Sequence, residues 1–349
     1  MDIDRHPDSG GPAADRIAPL RIAHLSDLHI LDLQGTSWRR FLNKRATGAA
    51  NLVGMRRSAH PVALAEGLAA WLHAASVDHV LITGDLTNLS LQSEFARARR
   101  IIETIGGPDF VTLVPGNHDA YTHGSARTHR FERTFGDYLV AADASAEEIQ
   151  RARDAGRAHY PFAKDITPQV RVYGLSSAVP TPPMLAFGYV GRDQLGRLER
   201  MVATETSAAA VRIVLVHHNI HHRHGPAEYT ASLIDRRAFA RSMRTIGASL
   251  VLHGHVHTPH QGHLASDAAW RPGNAGQPEP GASIPVLACG SSTWSSRSGY
   301  GDRAHINVIE VSPRGLERVR SYRYDAEACG FVAEHDDLLE RALDHAIGL

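Results

Sequence analysis

The sequence predicts an α/β protein in which layered sheets are covered by helices. Short apolar runs at 20–25, 77–83, 110–114 and 211–216 have the length of buried strands. Amphipathic segments of helical period separate the first three runs, whereas the last third of the chain is mainly strand and loop. Strands that alternate with helices and are followed by further strands favour sheets with helices packed on their outer faces.

The charge and cysteine content exclude several classes of protein. Lys plus Arg and Asp plus Glu both number 37 in 349 residues, so the formal net charge is zero. We therefore expect no nucleic-acid partner, because a basic surface normally supplies most of that affinity. Cys289 and Cys329 are too few for a disulfide framework or a cysteine-rich zinc site, and they suit a reducing compartment.

The chain is expected to form one catalytic domain over 19–325, preceded by a flexible tail at 1–18 and followed by a helix at 326–349. The tail has no apolar segment of the kind that signal peptides contain, so we expect a cytoplasmic protein. No stretch approaches the ~18 apolar residues of a membrane span. Polar clusters extend from position 27 to 257. A division of the chain into two domains between any of them would therefore split the site. The segment 120–165 is predicted to be a helical excursion.

Five polar clusters follow apolar segments where strands are expected to end. They contain seven side chains suited to metal ligation, namely Asp27, His29, Asp85, Asn117, His217, His255 and His257. Strand ends on one edge of an α/β sheet converge in space. Imidazole, carboxylate and amide oxygen suit Mn, Fe, Zn, Co or Ni. Seven ligands are too many for one ion and fit two, with one carboxylate as a bridge.

The same clusters resemble the sequence blocks of the calcineurin-like metallophosphoesterases, in order, spacing and strand context, over roughly residues 20–320. They read Asp27-x-His29, Gly84-Asp85, Gly116-Asn117-His118-Asp119, Val216-His217-His218 and Gly254-His255-Val256-His257. The resemblance implies a four-layer αββα sandwich, in which two mixed β-sheets are flanked by helices. It also implies two divalent or trivalent metal ions, of Mn, Fe or Zn.

The resemblance assigns a role to each predicted ligand. One ion is held by Asp27, His29 and His257, the other by Asn117, His217 and His255, and Asp85 bridges them. The fourth block of the family usually reads His-His-Pro, whereas this chain has Asn219 in place of the proline. Which of the two adjacent histidines ligates therefore stays open.

The resemblance further implies hydrolysis of a phosphoester by a hydroxide that bridges the two metals. His118 contacts the phosphate and donates a proton to the leaving group, and Asp119 sets the His118 tautomer. The Gly-Asn-His-Asp block favours a small phosphodiester as substrate, such as a cyclic nucleotide or a glycerophosphodiester. Phosphomonoester hydrolysis is an alternative. A non-catalytic scaffold is disfavoured, because all seven ligand positions and His118 are present.

Two segments allow more than one interpretation. Residues 37–57 mix basic and apolar side chains and form a basic amphipathic surface if helical. The segment either packs on the core or contacts anionic lipid. Contact with lipid would favour an alternative function, a lipid-linked pyrophosphate hydrolase that acts on an acylated UDP-sugar. His221, His222 and His224 either lie in a solvated loop, which we favour, or bind phosphate or an extra ion. His253 is expected to support the site without ligating.

Overall fold

The structure is a computed structural model that describes residues 19–36, 62–205, 209, 211–221, 230–264, 283–293, 304–312, 315–335, 337–343 and 347. The predicted tail at 1–18, the basic segment at 37–57 and the histidines His222 and His224 lie outside these residues. Within this part of the chain, no helix is long and apolar enough to cross a membrane.

The strands are β1 Leu20–Leu25, β2 His79–Ile82, β3 Val111–Leu113, β4 Phe162–Thr167, β5 Val170–Gly174, β6 Val211–Leu215, β7 Leu250–His253, β8 His260–Leu264, β9 Ile284–Ala288, β10 His305–Ser312, β11 Gly315–Asp325 and β12 Gly330–His335. The α-helices are α1 Val62–Ala74, α2 Gln92–Ile105, α3 His123–Arg127, α4 Arg130–Phe135, α5 Ala146–Ala155, α6 Arg192–Ala203, α7 Arg236–Thr245 and α8 Leu338–Leu343. Short 3₁₀ helices at Gly136–Leu139 and Gly156–His159 flank α5.

The strands form two mixed sheets. One sheet has the order β12-β11-β10-β1-β2-β3, and the other has the order β4-β5-β6-β7-β9-β8. In the first sheet β1, β2 and β3 are parallel to one another and β10 to β12 are antiparallel additions. In the second, β5, β6, β7 and β9 are parallel, and β4 and β8 are antiparallel edge strands. The predicted architecture of two mixed sheets flanked by helices is confirmed.

The two faces of the second sheet belong to different hydrophobic cores. Val172 and Ile213 pack in the larger core together with Ile22 and Leu81, which share one face of the first sheet, so the two sheets lie face to face. The neighbouring positions on the same strands point the other way, into a smaller core with α6 and α7. This alternation is the two-residue period of a strand that is buried on both faces. The helices thus form the outer layers of the sandwich.

Parallel register aligns the ends of the strands that carry the polar clusters. Leu25 pairs with Ile82, and Ile82 pairs with Leu113, so the loops after β1, β2 and β3 leave the first sheet at one edge. In the second sheet Leu215 pairs with Leu252, which places the loops after β6 and β7 side by side. The sheet registers therefore bring the five clusters together.

Three edge strands differ from the sequence-based expectations. β4 occupies the end of the predicted helical excursion at 120–165, and β12 lies within the predicted C-terminal helix at 326–349. β8 extends into the segment 262–283, whose Gly-, Pro- and Asp-rich composition is typical of a loop. Each is partly exposed and rich in polar residues, so it lacks the continuous apolar run of a central strand. Pairing with β5, β9 and β11 determines their conformation.

Candidate dinuclear metal centre

Five of the seven predicted ligands have left-handed backbone conformations. They are Asp27 (φ 55°), His29 (φ 45°), Asp85 (φ 53°), His255 (φ 72°) and His257 (φ 58°). For residues other than glycine this conformation costs roughly 1–2 kcal/mol each. Such backbone strain concentrates at functional sites, where the surrounding structure holds it in place. Here it turns the side chains inward directly after the strands end.

The first ligand group contains Asp27, His29 and His257, whose ligand atoms lie within 4.8 Å of one another. The Nε2 atoms of His29 and His257 are 2.8 Å apart. Asp27 Oδ1 lies 3.3 Å from His257 Nε2 and 3.7 Å from His29 Nε2. The other carboxylate oxygen of Asp27 accepts a hydrogen bond from the backbone N–H of His255 at 3.0 Å. That bond leaves Oδ1 facing the imidazoles.

The second ligand group contains Asn117, His217 and His255. Asn117 Oδ1 lies 3.0 Å from His217 Nε2 and 2.9 Å from His255 Nδ1. These two ring nitrogens are 3.3 Å apart. His217 Nδ1 lies 2.7 Å from the carbonyl oxygen of Thr83, which fixes Nδ1 as the protonated nitrogen of the neutral ring and directs the Nε2 lone pair into the group.

Asp85 lies between the two groups and contacts both through one oxygen atom. Asp85 Oδ2 is 3.8 Å from His29 Nε2 in the first group and 3.4 Å from His217 Nε2 in the second. Asp85 Oδ1 accepts a hydrogen bond from the backbone N–H of His118 at 2.7 Å. One carboxylate oxygen of Asp85 therefore faces both ligand groups.

The electrostatics of the pocket fit a cation. Asp27 and Asp85 have exposed fractions of 0% and 1%. Burial opposes ionisation of Asp85, but the neighbouring histidines outweigh that cost and hold its pKa well below the usual range. Burial also disfavours the His217 imidazolium, yet Asp85 and Asp27 raise the pKa of His217 to about 9. Two buried carboxylates facing imidazole nitrogens and an amide oxygen form a donor set that suits Mn, Fe or Zn.

His118 lies at the edge of the centre with a fixed ring orientation. Its Nδ1 is 2.6 Å from the carbonyl oxygen of Asn88, and its ring stacks on Tyr121 with centroids 5.2 Å apart. The ring centroid is 4.8 Å from that of the predicted ligand His29. Since Nδ1–H donates to Asn88, proton exchange with a bound substrate would take place at Nε2.

Asp119 does not orient His118, so the predicted role of this carboxylate needs correction. Its two oxygens accept hydrogen bonds from the backbone N–H groups of Gly116 at 2.9 Å, Thr87 at 2.9 Å and Leu86 at 3.2 Å. The Thr87 hydroxyl donates a further bond at 3.0 Å. Asp119 thus clamps the loop after β2 to the loop after β3, and we treat it as a positioning residue.

The structure distinguishes the two histidines of the fourth cluster. His217 directs Nε2 toward Asn117 and Asp85, whereas His218 Nδ1 lies 2.7 Å from the Ser177 hydroxyl. Both rings are fully buried. The first histidine is therefore the ligand candidate, and the second anchors the loop that follows β5. His24, within β1, is fully buried and bonded through Nε2 to Thr83 Oγ1 at 3.0 Å.

Sequence reasoning missed the hydroxyl residues that follow β9. The hydroxyl of Ser291 donates to the Asp27 carbonyl at 2.7 Å, and that of Thr293 donates to the Leu28 carbonyl at 2.8 Å. The Ser292 hydroxyl accepts the backbone N–H of Ser26 at 3.0 Å. These bonds fix the backbone of the loop after β1, which carries Asp27 and His29. The signal available in the sequence is a run of small hydroxyl residues directly after an apolar strand.

The fold and the site together define a two-sheet α/β protein with candidate ligand groups for two metal ions at the strand ends. A sequence profile described as calcineurin-like phosphoesterase matches residues 20–259. The chain belongs to this family. No curated protein sequence matches the chain significantly.

Solved structures of similar fold have low sequence identity to this chain. A purple acid phosphatase from yellow lupin (Lupinus luteus) seeds has 10% identity and a TM-score of 0.55, with 95% of this chain and 56% of that chain covered. This chain therefore spans little more than half the length of the lupin enzyme. A dimetal phosphatase from Danio rerio has 11% identity and a TM-score of 0.48, with 88% of this chain and 100% of that chain covered.

Proposed function

We propose that the protein is a dinuclear-metal-dependent hydrolase of a small phosphodiester, of the cyclic nucleotide or glycerophosphodiester type. The observation that carries this proposal is the position of Asp85 Oδ2, which faces His29 of one ligand group and His217 of the other. Two metal ions of Mn, Fe or Zn, when bound there, would neutralise phosphoryl oxygens and make water a stronger nucleophile at neutral pH. Family membership supports phosphoester hydrolysis as the reaction.

The residues of the chain have distinct tasks in this reaction. Asp27, His29 and His257 would hold one ion, and Asn117, His217 and His255 the other, with Asp85 shared. His118 Nε2 is the proton donor to the departing alkoxide, because its Nδ1 is occupied by Asn88. A neutral ring that carries its proton on Nδ1 has no proton on Nε2 to donate. His118 therefore acts as a donor in its imidazolium form.

Support for a diester comes from the Gly-Asn-His-Asp cluster, whose histidine can protonate an alkoxide leaving group. The zero net charge favours a small substrate over nucleic acid. A cytoplasmic location is part of the proposal, since Cys289 and Cys329 are both free thiols.

The experiment is turnover by metal-free protein reconstituted with Mn²⁺. Bis-p-nitrophenyl phosphate is compared with p-nitrophenyl phosphate, and a metal-free sample serves as the control. We expect a higher kcat/KM for the diester than for the monoester, and turnover that depends on added metal. A preference for the monoester would replace the diester proposal with a phosphatase, and metal-independent turnover would overturn the proposed centre.

The second candidate function is hydrolysis of a lipid-linked pyrophosphate. The observation that favours it is the basic amphipathic sequence of residues 37–57. Flotation with liposomes that contain anionic lipid, using the full chain and a variant lacking 37–57, tests this candidate. Membrane association that depends on the segment would favour the lipid substrate, and no association in either form would eliminate it.

A further inference from the structure

A cluster of three histidines lies outside the dinuclear centre, where the loop after β6 meets β7 and β8. His221 follows β6, His253 ends β7 and His260 begins β8. The ring centroid of His221 is 4.9 Å from that of His253 and 4.0 Å from that of His260. We refer to these residues as the His221 cluster. None of them is among the seven predicted ligands.

The sheet register explains why these rings meet. His253 of β7 and His260 of β8 both pair with Ala288 on the intervening strand β9. Residues that pair directly across neighbouring strands point to the same face of a sheet. Two strand spacings separate the two histidine backbones by about 10 Å. The small side chain of Ala288 leaves room between the rings, and the His221 ring contacts both of them.

The buried nitrogens of this cluster lack partners within the part of the chain that the structure describes. His221 has an exposed fraction of 6%, and neither of its ring nitrogens makes a hydrogen bond there. His253 is fully buried, its Nδ1 lies 3.0 Å from the Gly254 carbonyl oxygen, and its Nε2 has no hydrogen-bond partner. Buried polar atoms in folded proteins are almost always satisfied by protein, water or an ion.

The protonation states suit a ligand role. With Nδ1–H of His253 directed at a carbonyl, Nε2 carries the lone pair, which is the arrangement that metal-bound histidines adopt. Either ring nitrogen of His221 can offer its lone pair, because neither makes a hydrogen bond within the described part of the chain. Neutral imidazole is the form that binds a metal.

We propose that His221, His253 and His260 form a third metal site, for a zinc-class divalent cation, separate from the dinuclear centre. A set of imidazoles without carboxylates selects Zn²⁺, Co²⁺ or Ni²⁺ over Mg²⁺ or Ca²⁺. Three histidines leave one position of a tetrahedral shell for water. An ion at this position ties the loop after β6, which carries His217, to the ends of β7 and β8. It therefore stabilises the backbone that presents His217 and His255.

The test is the metal content of the full chain, measured by elemental analysis after Zn²⁺ loading and gel filtration. The wild type should retain three equivalents, and His221→Asn and His260→Gln should each retain two. His263→Gln is the matched control, because His263 lies on β8 but three residues further along and on the opposite face, and it should retain three. His260 is exposed, so its substitution reports on the site even if His221→Asn fails to fold.

Asp85→Asn separates this site from the dinuclear centre. If that variant loses Zn²⁺ from the dinuclear centre but keeps one equivalent that the additional His260→Gln substitution removes, the third site is supported independently of the catalytic proposal. Saturation of the wild type at two equivalents would overturn the third site. Retention of three equivalents by both His221→Asn and His260→Gln would overturn it equally.

Discussion

The carbonyl oxygen of Asn88 lies 2.6 Å from His118 Nδ1 and orients the imidazole at the edge of the dinuclear centre. Asn88 follows Asp85 in the loop after β2, so the loop that supplies the bridging carboxylate also sets the direction of the proposed acid. A backbone carbonyl is a fixed acceptor that cannot ionise. The tautomer of His118 therefore does not depend on the charge of a second carboxylate.

Substitution of His118 should reveal a dependence on the leaving group. We expect His118→Ala to lower kcat by roughly 10²–10⁴-fold for a diester with an alkoxide leaving group, because general acid catalysis contributes about that much. The loss should be smaller for bis-p-nitrophenyl phosphate, since p-nitrophenolate departs without a proton. Steady-state kinetics on a series of leaving groups measures this difference. Equal losses across the series would remove His118 from the acid role.

Substitution of Asp119 should destabilise the loops after β2 and β3 without changing the role of His118 as the acid. Asp119→Asn replaces one acceptor oxygen with an amide that faces backbone donors, and we expect the free energy of unfolding to fall by about 1–3 kcal/mol. The leaving-group dependence should stay that of the wild type. Denaturant unfolding and the same substrate series measure both effects. A leaving-group dependence like that of His118→Ala would restore the carboxylate to the orienting role.

Gly116 is required for the position of the bridging carboxylate. A Cβ atom at this residue would lie 2.1 Å from Asp85 Oδ1 and 2.3 Å from the Asp85 backbone nitrogen. Gly116→Ala should therefore displace Asp85 and lower metal affinity by more than about tenfold. Tenfold is the smaller loss of affinity found when a group that hydrogen-bonds to a metal ligand is removed. Equilibrium titration with Mn²⁺ measures the loss.

The matched control for this substitution is Gly67→Ala in α1. Gly67 is exposed, and a Cβ atom there meets nothing within 4 Å. This control should keep wild-type metal affinity and gain up to about 1 kcal/mol of stability from the better helix former. Wild-type Mn²⁺ affinity in Gly116→Ala would show that the loop accommodates the methyl group and that the close packing is dispensable.

Buried neutral histidines should make the fold sensitive to acid. Burial is the main cause that lowers the pKa of His79 to about 3, and Lys164 adds to it. Because the folded pKa lies below the unfolded value of about 6.5, the unfolded chain binds the extra proton between these two values. The contribution of His79 to stability is therefore present above pH 6.5 and is lost as the pH falls toward 3.

His79→Gln tests this acid response. Between pH 7.5 and 5 the free energy of unfolding should fall by about 2 kcal/mol more in the wild type than in the variant. Each pH unit below 6.5 costs about 1.36 kcal/mol, because only the unfolded chain binds the proton. The exposed His123→Gln serves as the control and should keep the wild-type response. Denaturant unfolding at the two pH values gives the difference. An identical pH dependence in His79→Gln and the wild type would show that His79 is not kept neutral by the fold.

The central part of the fold and the ligand set could be predicted because their signals are local. Apolar runs of strand length marked β1, β2 and β6, and each ended in a polar cluster. Parallel strands with these clusters at one end place the side chains together without knowledge of any contact. The edge strands β4, β8 and β12 could not be predicted in this way, because pairing with a neighbour, and not composition, holds their polar residues extended.

The parts of the site that escaped prediction depend on backbone atoms and register. The orienting group of His118 is the carbonyl of Asn88, which has no side-chain signature in a sequence. The His221 cluster follows from the pairing of β7 and β8 with Ala288, and that pairing is set by tertiary structure. The sequence favours a solvated loop for His221 over binding of phosphate or an extra ion, whereas the residue is buried.

The most direct test of the account is whether Asp85 bridges two metal ions. Electron paramagnetic resonance of the protein loaded with two equivalents of Mn²⁺ should show an exchange-coupled pair. In Asp85→Asn the coupled signal should vanish, and hydrolysis of bis-p-nitrophenyl phosphate should fall by more than about 100-fold. Removal of a group that only hydrogen-bonds to a metal ligand already costs about 10–100-fold. A circular dichroism spectrum like that of the wild type would show that the variant is folded. A wild type with only isolated Mn²⁺ signals, or a folded Asp85→Asn with full activity, would contradict the dinuclear centre.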